Sequence, residues 1–146
     1  MIRLPGLLLT EIIRMAKFES SDLHIHTDCD TLYGFLSDFR NFEELLPEQV
    51  ANWKSDEFTC SFTIPGFADL SMRINSKTPC RSIHIVSDGK NPADFTLDYF
   101  FIPSGDDCQL SIVFDVKLNP FLKTIASKPL QNFVNMLGEK LQERYP

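Results

Sequence analysis

The chain has 146 residues, which predicts one domain large enough to bury roughly two-thirds of the surface of its unfolded chain. Its net charge is −6 and no basic run is longer than a pair, so it lacks the clustered positive charge expected of proteins that bind nucleic acid or anionic membranes. Thirteen Phe and a single Trp indicate an aromatic interior.

Residues 1–14 differ in character from the rest of the chain. Arg3 precedes an apolar run, but Glu11 interrupts that run and no small-residue cleavage site follows, which argues against a signal peptide. A transmembrane span would need about 20 apolar residues. We therefore expect 1–14 to be a loosely ordered extension and 15–146 to form the single domain. Met15 is then a candidate native start, which an intact mass of the native protein would test.

The first predicted elements are a strand and two short helices. Residues 17–26 have the alternation of a strand. Asp28 or Asp30 can cap a short helix, since Asp accepts from the free N–H groups of a first turn. The inward side of this helix is predicted to hold Leu32, Phe35, Leu36 and Phe39. Asn41 is predicted to cap a second helix, FEELL, which ends before Pro47.

Beyond this point the apolar period changes from near four to two, which is the signature of half-buried strands. A short strand is expected over 49–54. Five further strands follow, separated by turns such as Pro65-Gly66, and their alternating apolar residues span 58–64, 68–74, 83–85, 95–101 and 110–116. Connections of this length predict an antiparallel meander with one apolar face covered by helices.

Residues 119–146 predict one long amphipathic helix. Asn119 is a favourable N-cap, and Pro120 stands where a missing N–H costs nothing. Pro129 predicts a kink, because it cannot donate to the carbonyl four residues earlier. Two interpretations stay open: a core helix with a bend, or a bent lid over a ligand pocket. The apolar face is formed by Phe121, Leu122, Ile125, Ala126, Leu130, Phe133, Val134, Leu137 and Leu141.

The four cysteines form no Cys-x-x-Cys pair, so their spacing is not that of a metal site. A disulfide framework is poorly supported in a chain of this size, and four scattered thiols fit a reducing cytoplasm. We therefore predict a cytoplasmic protein in which Cys29, Cys60, Cys80 and Cys108 are thiols.

The order of strand, two short helices, six strands and long helix resembles the START-like (SRPBCC) helix-grip superfamily, which includes birch-pollen allergen, START lipid-transfer domains and polyketide cyclases. The resemblance runs from about 17 to 145 and is most specific in TLYGFLSDFRNFEELLPEQVANW. In that segment the bend between the helices corresponds to Asp38, Phe39, Asn41 and Phe42, and FTCSFTIPGFADLSMRI is similar to paired strands of small bacterial members.

The resemblance implies an α+β fold in which a seven-stranded curved antiparallel sheet grips the C-terminal helix around a hydrophobic cavity. Leu32, Phe35 and Leu36 are expected to close one end. Strand and helix parity predict that the cavity is lined by Phe62, Ile64, Leu70, Met72, Ile83, Leu97, Tyr99, Phe101, Ile112, Phe114, Phe121, Ile125, Phe133, Val134 and Leu137.

The predicted lining contains little that can move a proton, as acid–base catalysis requires. Arg73, His84 and Asp98 each lie between apolar residues of a strand and so point away from the apolar face. Inside, Tyr99 is either a core tyrosine bonded to a backbone carbonyl or a hydrogen-bond anchor for a ligand, while Cys60 is an inert thiol.

No metal or cofactor site is predicted. His24 and His26 share one solvent-facing strand face and would chelate only with an acidic partner, so they are interpreted as a surface pair. No glycine-rich phosphate loop or hydrolase motif is present in the sequence.

Three functions remain under consideration. The first is a small carrier or sensor of an apolar molecule such as a lipid, a quinone-like ring or a polyketide. The second is a non-enzymatic interaction or chaperone-regulator module with a filled core, for which Leu7, Leu8, Leu9, Ile12 and Ile13 offer a contact segment. The third is a cyclase or other lyase, which a strand bulge turning Arg73 or His84 inward would favour.

Overall fold

A computed structural model describes residues 14–46, 50–89 and 91–146, without the side chains of 14 and 15. Its elements are β1 (Arg14–Ile25), α1 (Cys29–Leu36), a 3₁₀ helix (Phe39–Glu44), β2 (Ala51–Ser55), β3 (Thr59–Ile64), β4 (Ala68–Thr78), β5 (Ser82–Ser87), β6 (Phe95–Ser104), β7 (Asp107–Leu118) and α2 (Pro120–Arg144).

The strands form one seven-stranded sheet in the order β1-β7-β6-β5-β4-β3-β2, and every neighbouring pair is antiparallel. Strands β2 to β7 are connected in sequence as antiparallel hairpins. β1 pairs with β7 and forms the edge of the sheet opposite β2. The predicted α+β helix-grip architecture is therefore confirmed, including the short helices between β1 and β2.

The sheet has one buried face because apolar and polar side chains alternate along its strands. In β7 the residues from Cys108 to Leu118 alternate between buried and half-buried or exposed, and β3 shows the same pattern. The buried face packs against both helices, and its core is largely aliphatic and aromatic. Period-two alternation and the antiparallel register place these residues together.

Local hydrogen bonds explain where the two short helices begin. The Asp28 carboxylate accepts from the Thr31 amide at 2.7 Å and caps α1. The second cap was assigned wrongly: the 3₁₀ helix is capped by Asp38, which accepts from the Arg40 amide at 2.9 Å. Asn41 instead lies within this helix, and its amide donates to the Phe35 carbonyl, because the bend brings the two segments together.

The start of α2 agrees with the sequence. The Asn119 side chain accepts from the Leu122 amide at 2.8 Å, and Pro120 is the first helical residue. The helix runs from Pro120 to Arg144 without interruption at Pro129, and the kink expected there stays a prediction.

Cys29 and Cys108 form a disulfide, which corrects the expectation of four thiols. The two residues are 79 positions apart in sequence but their Cα atoms are 5.1 Å apart, because α1 begins directly beside the start of β7. Cys60 and Cys80 are free thiols. Sequence spacing did not reveal the pair, since only the pairing of β1 with β7 brings these positions together.

Some sequence predictions lie outside the described residues. These are residues 1–13 of the extension predicted over 1–14, with the contact segment it contains, the helix stop at Pro47, the strand start at Gln49 and the turn position at Lys90. The division into an extension and a domain over 15–146 stays a prediction. Among the helices described, none is long and apolar enough to cross a membrane.

Candidate functional site

A cavity of about 210 Å³ lies where the end of β3 meets the middle of α2. Among the described residues that line it, all are apolar except Asn132, which contributes an amide. The lining consists of Val50, Ile64, Pro65, Pro129, Asn132, Phe133 and Met136. Such a surface suits an apolar molecule with one polar group.

A tight turn brings β3 and the helix together at this cavity. β3 ends at Ile64, and Gly66 adopts a φ of +81°, a left-handed conformation that favours glycine. A Cβ atom on Gly66 would lie 3.4 Å from Cγ of Pro129, so the turn and the helix are already in contact. Pro65 and Pro129 therefore form adjoining parts of one rigid wall.

An aromatic row leads from the cavity into the core. The ring of Phe133 stacks on the ring of Phe62 with their centroids 5.4 Å apart. The Phe62 and Trp53 ring centroids are 5.5 Å apart. Trp53 stacks on Phe42 at 6.2 Å, and Phe42 contacts Tyr99 edge-on at 6.1 Å. The row connects a cavity-lining ring to the most deeply placed polar group of the interior, the Tyr99 hydroxyl.

Tyr99 is fully buried, and its hydroxyl has no hydrogen-bond partner among the described residues. Burial, with a smaller contribution from Cys60, raises the pKa of Tyr99 well above its ordinary value. A buried hydroxyl without a partner costs about 1–3 kcal/mol. The hydrogen bond to a backbone carbonyl considered for Tyr99 is not made among the described residues, and its role as a ligand anchor stays a prediction.

Cys60 is also buried, and it lies close enough to Tyr99 to affect its pKa. Burial raises the pKa of its thiol far above the ordinary range, with a smaller effect from Asp56. The thiol therefore stays protonated at neutral pH and is a poor nucleophile.

Solved structures resemble the whole arrangement. A truncated norcoclaurine synthase from Thalictrum flavum is 12% identical, with a TM-score of 0.67, and the match covers 91% of this chain and 93% of that one. A START superfamily protein from Mycobacterium smegmatis is 14% identical with a TM-score of 0.65, covering 91% and 96%. A Thermus thermophilus protein is 14% identical with a TM-score of 0.68, covering 90% and 97%.

This is the START-like helix-grip fold. The likeness extends over nearly the full length of each solved chain, so the fold predicted from the sequence is confirmed. No family model matches the sequence, and the comparison with curated proteins gave no match. One solved norcoclaurine synthase is in complex with dopamine and hydroxybenzaldehyde, a property of that enzyme.

Within the START-like fold, the sequence-predicted lining separates into three groups. Only Ile64 and Phe133 line the cavity described above. Phe121 and Ile125 were placed wrongly on the inner face: they are 72% and 45% exposed, because the sheet does not cover the first turns of α2. The remaining predicted residues are buried in the core, namely Phe62, Leu70, Met72, Ile83, Leu97, Tyr99, Phe101, Ile112, Phe114, Val134 and Leu137.

Most of the cavity wall was not predicted from the sequence. Val50, Pro65, Pro129, Asn132 and Met136 line the cavity but were not among the predicted lining residues. Only the two prolines offered a signal, since each marks a place where regular backbone pairing fails. The predicted end cap of Leu32, Phe35 and Leu36 is buried in the core.

The polar strand residues lie on the outer face, as their alternation predicts. His84 pairs across the strands with Asp98, and the His84 Nδ1 to Asp98 Oδ1 distance is 2.5 Å. Arg73 is exposed and lies 3.7 Å from Asp88. The sheet does contain register shifts, including one between Ile74 and Ser76, but these do not turn Arg73 or His84 inward.

Proposed function

We propose that this protein binds a small apolar molecule at the cavity between β3 and α2. The observation that carries the proposal is the cavity of about 210 Å³, whose wall is apolar apart from the Asn132 amide. The amide supplies a donor NH2 group and an acceptor oxygen, enough to orient a single hydroxyl or carbonyl of the ligand. The fold supports the proposal, since it commonly encloses hydrophobic ligands.

The size of the cavity restricts the ligand class. Sites for drug-sized ligands span roughly 300–1,000 Å³, whereas an engineered apolar cavity of about 150 Å³ accepts benzene. The site therefore fits one or two rings, or a short acyl segment, better than an entire lipid. Among the predicted ligands, a quinone-like ring or a compact polyketide-like molecule fits best.

We prefer ligand binding without catalysis as the function of this cavity. Within the described part of the cavity wall no side chain titrates near neutral pH, so general acid–base catalysis has no candidate group there. A cyclase would need at least two convergent polar groups, and the described lining residues supply one. The interaction-module alternative required an interior filled throughout, and the cavity beside Phe133 favours ligand binding instead.

The first test is mass spectrometry of the organic extract from protein purified without detergent, beside an empty-vector control. A stoichiometric compact apolar molecule would identify the ligand class. The second test is calorimetric titration with 2-naphthol, which has two fused rings and one hydroxyl. We expect saturable binding at one site per chain.

A cavity-filling variant makes this test specific. Met136→Trp should weaken binding of 2-naphthol at least ~10-fold, because the indole occupies the space that the ligand needs. Glu139→Trp adds the same side chain at an exposed position of the same helix and should leave binding unchanged. Equal affinity in Met136→Trp and wild-type protein would refute the proposed site.

A cytoplasmic location also remains a proposal. It is supported by the free thiols Cys60 and Cys80, while the Cys29–Cys108 bond weakens the original argument from four thiols. Lysing cells directly into a denaturant with excess maleimide, followed by an intact mass, counts buried and exposed thiols before oxidation in air. Four modified cysteines would support a reducing compartment, and two would argue against it.

A further inference from the structure

A second cluster of functional groups lies far from the cavity, on the outer face at the β1 edge of the sheet. It consists of His24, His26 and Asp107, whose potential ligand atoms all lie within 4.8 Å of one another. The His24 Nε2 to Asp107 Oδ2 distance is 2.8 Å, and the His26 Nδ1 to Asp107 Oδ2 distance is 3.3 Å. The two imidazole ring centroids are 4.7 Å apart.

The sheet itself assembles this cluster. Ile25 pairs with Cys108 at the end of the β1–β7 ladder and is fully buried, so the residues on either side of it face outward. His24 is therefore directed to the outer face, where Asp107, the first residue of β7, is also placed. Antiparallel pairing makes neighbours of residues that are 83 positions apart in sequence.

The backbone beneath the cluster is fixed by a covalent bond. Cys108 adjoins Asp107 and is joined to Cys29, the first residue of α1. The His24 carbonyl also accepts a long hydrogen bond of 3.5 Å from the Gln142 amide of α2. Side chains mounted on such a support are positioned more accurately than side chains on a free loop.

We infer that His24, His26 and Asp107 form a binding site for a divalent transition-metal ion, with Zn²⁺ as the preferred occupant. Two imidazoles and one carboxylate are the ligand types that zinc takes. Three protein ligands leave a fourth position for water, as in open zinc sites. Ca²⁺ and Mg²⁺ prefer oxygen ligands and would gain little from a site with a single carboxylate.

The ligand atoms can reach an ion by side-chain rotation, and the widest pair, at most 4.8 Å apart, must close by up to about 1.4 Å. Zinc–ligand bonds of about 2.0–2.2 Å in a tetrahedron separate the ligand atoms by about 3.3–3.5 Å. The His26–Asp107 distance of 3.3 Å already has this value, while the hydrogen-bonded His24–Asp107 pair must open by about half an ångström. Both histidine side chains are about half exposed, at 46% and 56%, so the rings have room to turn.

The same sheet face provides a matched control. His84 is the remaining histidine of the chain, and it also contacts an aspartate, Asp98, on a neighbouring strand. That pair has one imidazole where the cluster has two, so it offers two ligands where the cluster offers three. The comparison separates a chelating cluster from an ordinary histidine–aspartate contact.

The test uses untagged full-length protein treated with a chelator and then titrated calorimetrically with Zn²⁺. One ion should bind per chain, and equimolar Mg²⁺ should not compete. His24→Ala, His26→Ala and Asp107→Asn should each weaken binding at least ~10-fold, because loss of a direct ligand should cost no less than loss of an outer-shell partner, which is typically 10–100-fold. His84→Ala should bind like the wild-type protein. Circular dichroism would confirm that these variants of exposed side chains fold.

Cobalt provides a readout of the ligands themselves. Co²⁺ in the site should give the strong visible absorption of a four-coordinate ion without thiolate-to-metal charge transfer, since no thiol takes part. Absence of zinc binding, equal binding by His24→Ala and wild-type protein, or loss of binding after the Cys80 thiol is blocked would each overturn the inference.

Discussion

The two halves of α2 have similar sequence patterns but different surroundings. In residues 120–129 the apolar period continues, yet Ala126 is the single buried side chain, and Phe121 and Ile125 are exposed. In residues 130–144 the same period buries Leu130, Phe133, Val134, Leu137, Gly138 and Leu141. Periodicity therefore specifies which side chains share a face, whereas the extent of the sheet decides whether that face is covered.

The covered half is held closely at two places. A Cβ atom on Gly138 would lie 2.8 Å from a methyl group of Leu23 and 3.0 Å from the Ser20 hydroxyl, so a larger residue fits there only if these side chains move. At its end, the Arg144 guanidinium lies 4.3 Å from the centre of the Phe35 ring and 3.0 Å from the Glu44 carboxylate. The first half has the Asn119 cap, and Pro129, where the halves meet, lines the cavity.

The largest expected difference is between two leucines of this helix. Leu137→Ala should lower the free energy of unfolding by about 3 kcal/mol, because it leaves a cavity in a fully packed region. Leu122→Ala, the matched change in the half-buried first half, should cost no more than about 1 kcal/mol. Urea denaturation of both variants measures the contrast, and equal losses would show that the first half is packed as firmly as the second.

A smaller effect is expected where the helix meets β1. Gly138→Ala gains about 1 kcal/mol of helix propensity but introduces a methyl group within contact distance of Leu23, which costs about 1–3 kcal/mol. We expect a net loss of roughly 1 kcal/mol by chemical denaturation. Adding Leu23→Ala should make the Gly138→Ala change favourable in that background. A Gly138→Ala protein more stable than the wild type would contradict the close packing.

The contacts of Arg144, at the C-terminal end of α2, should contribute less to the free energy of unfolding. Arg144→Ala removes a cation–π contact and a partly exposed ion pair, together worth about 1 kcal/mol. Arg144→Lys keeps the charge but loses the planar group, so it should retain only part of this stability. Thermal unfolding of both variants at low and high salt separates the ionic contribution. No change in either variant would mean that this end of α2 is not anchored.

The smallest effect is expected at the exposed end. Phe121→Ala should change the free energy of unfolding by less than about 0.5 kcal/mol, since the ring is 72% exposed. The same change should leave 2-naphthol binding unaltered, because Phe121 does not line the cavity. A loss of several-fold in affinity would show that the first half of α2 folds over the ligand, as the bent-lid interpretation requires.

Features that depend on neighbours in the chain could be predicted from the sequence. Asn119 caps α2 and Asp28 caps α1, because a side-chain oxygen needs to reach only two or three residues ahead. Strand parity placed Ile83, Leu97 and Ile112 on the inner face of the sheet, since side chains on a pleated strand alternate between its faces, although they were expected to line a cavity and are buried in the core. Together with the order of elements, these local features carried the resemblance that implied the helix-grip fold, which the structure confirms.

The tertiary structure alone decided everything that depends on which distant residues become neighbours. It joined Cys29 to Cys108, placed Asp107 beside His24, and closed the cavity with Pro65 and Pro129. It also left Phe121 outside the core, although its position in the apolar period is the same as that of buried residues. The physical reason is common to all four: sequence patterns record the direction of a side chain relative to its own backbone, and only packing determines what it meets.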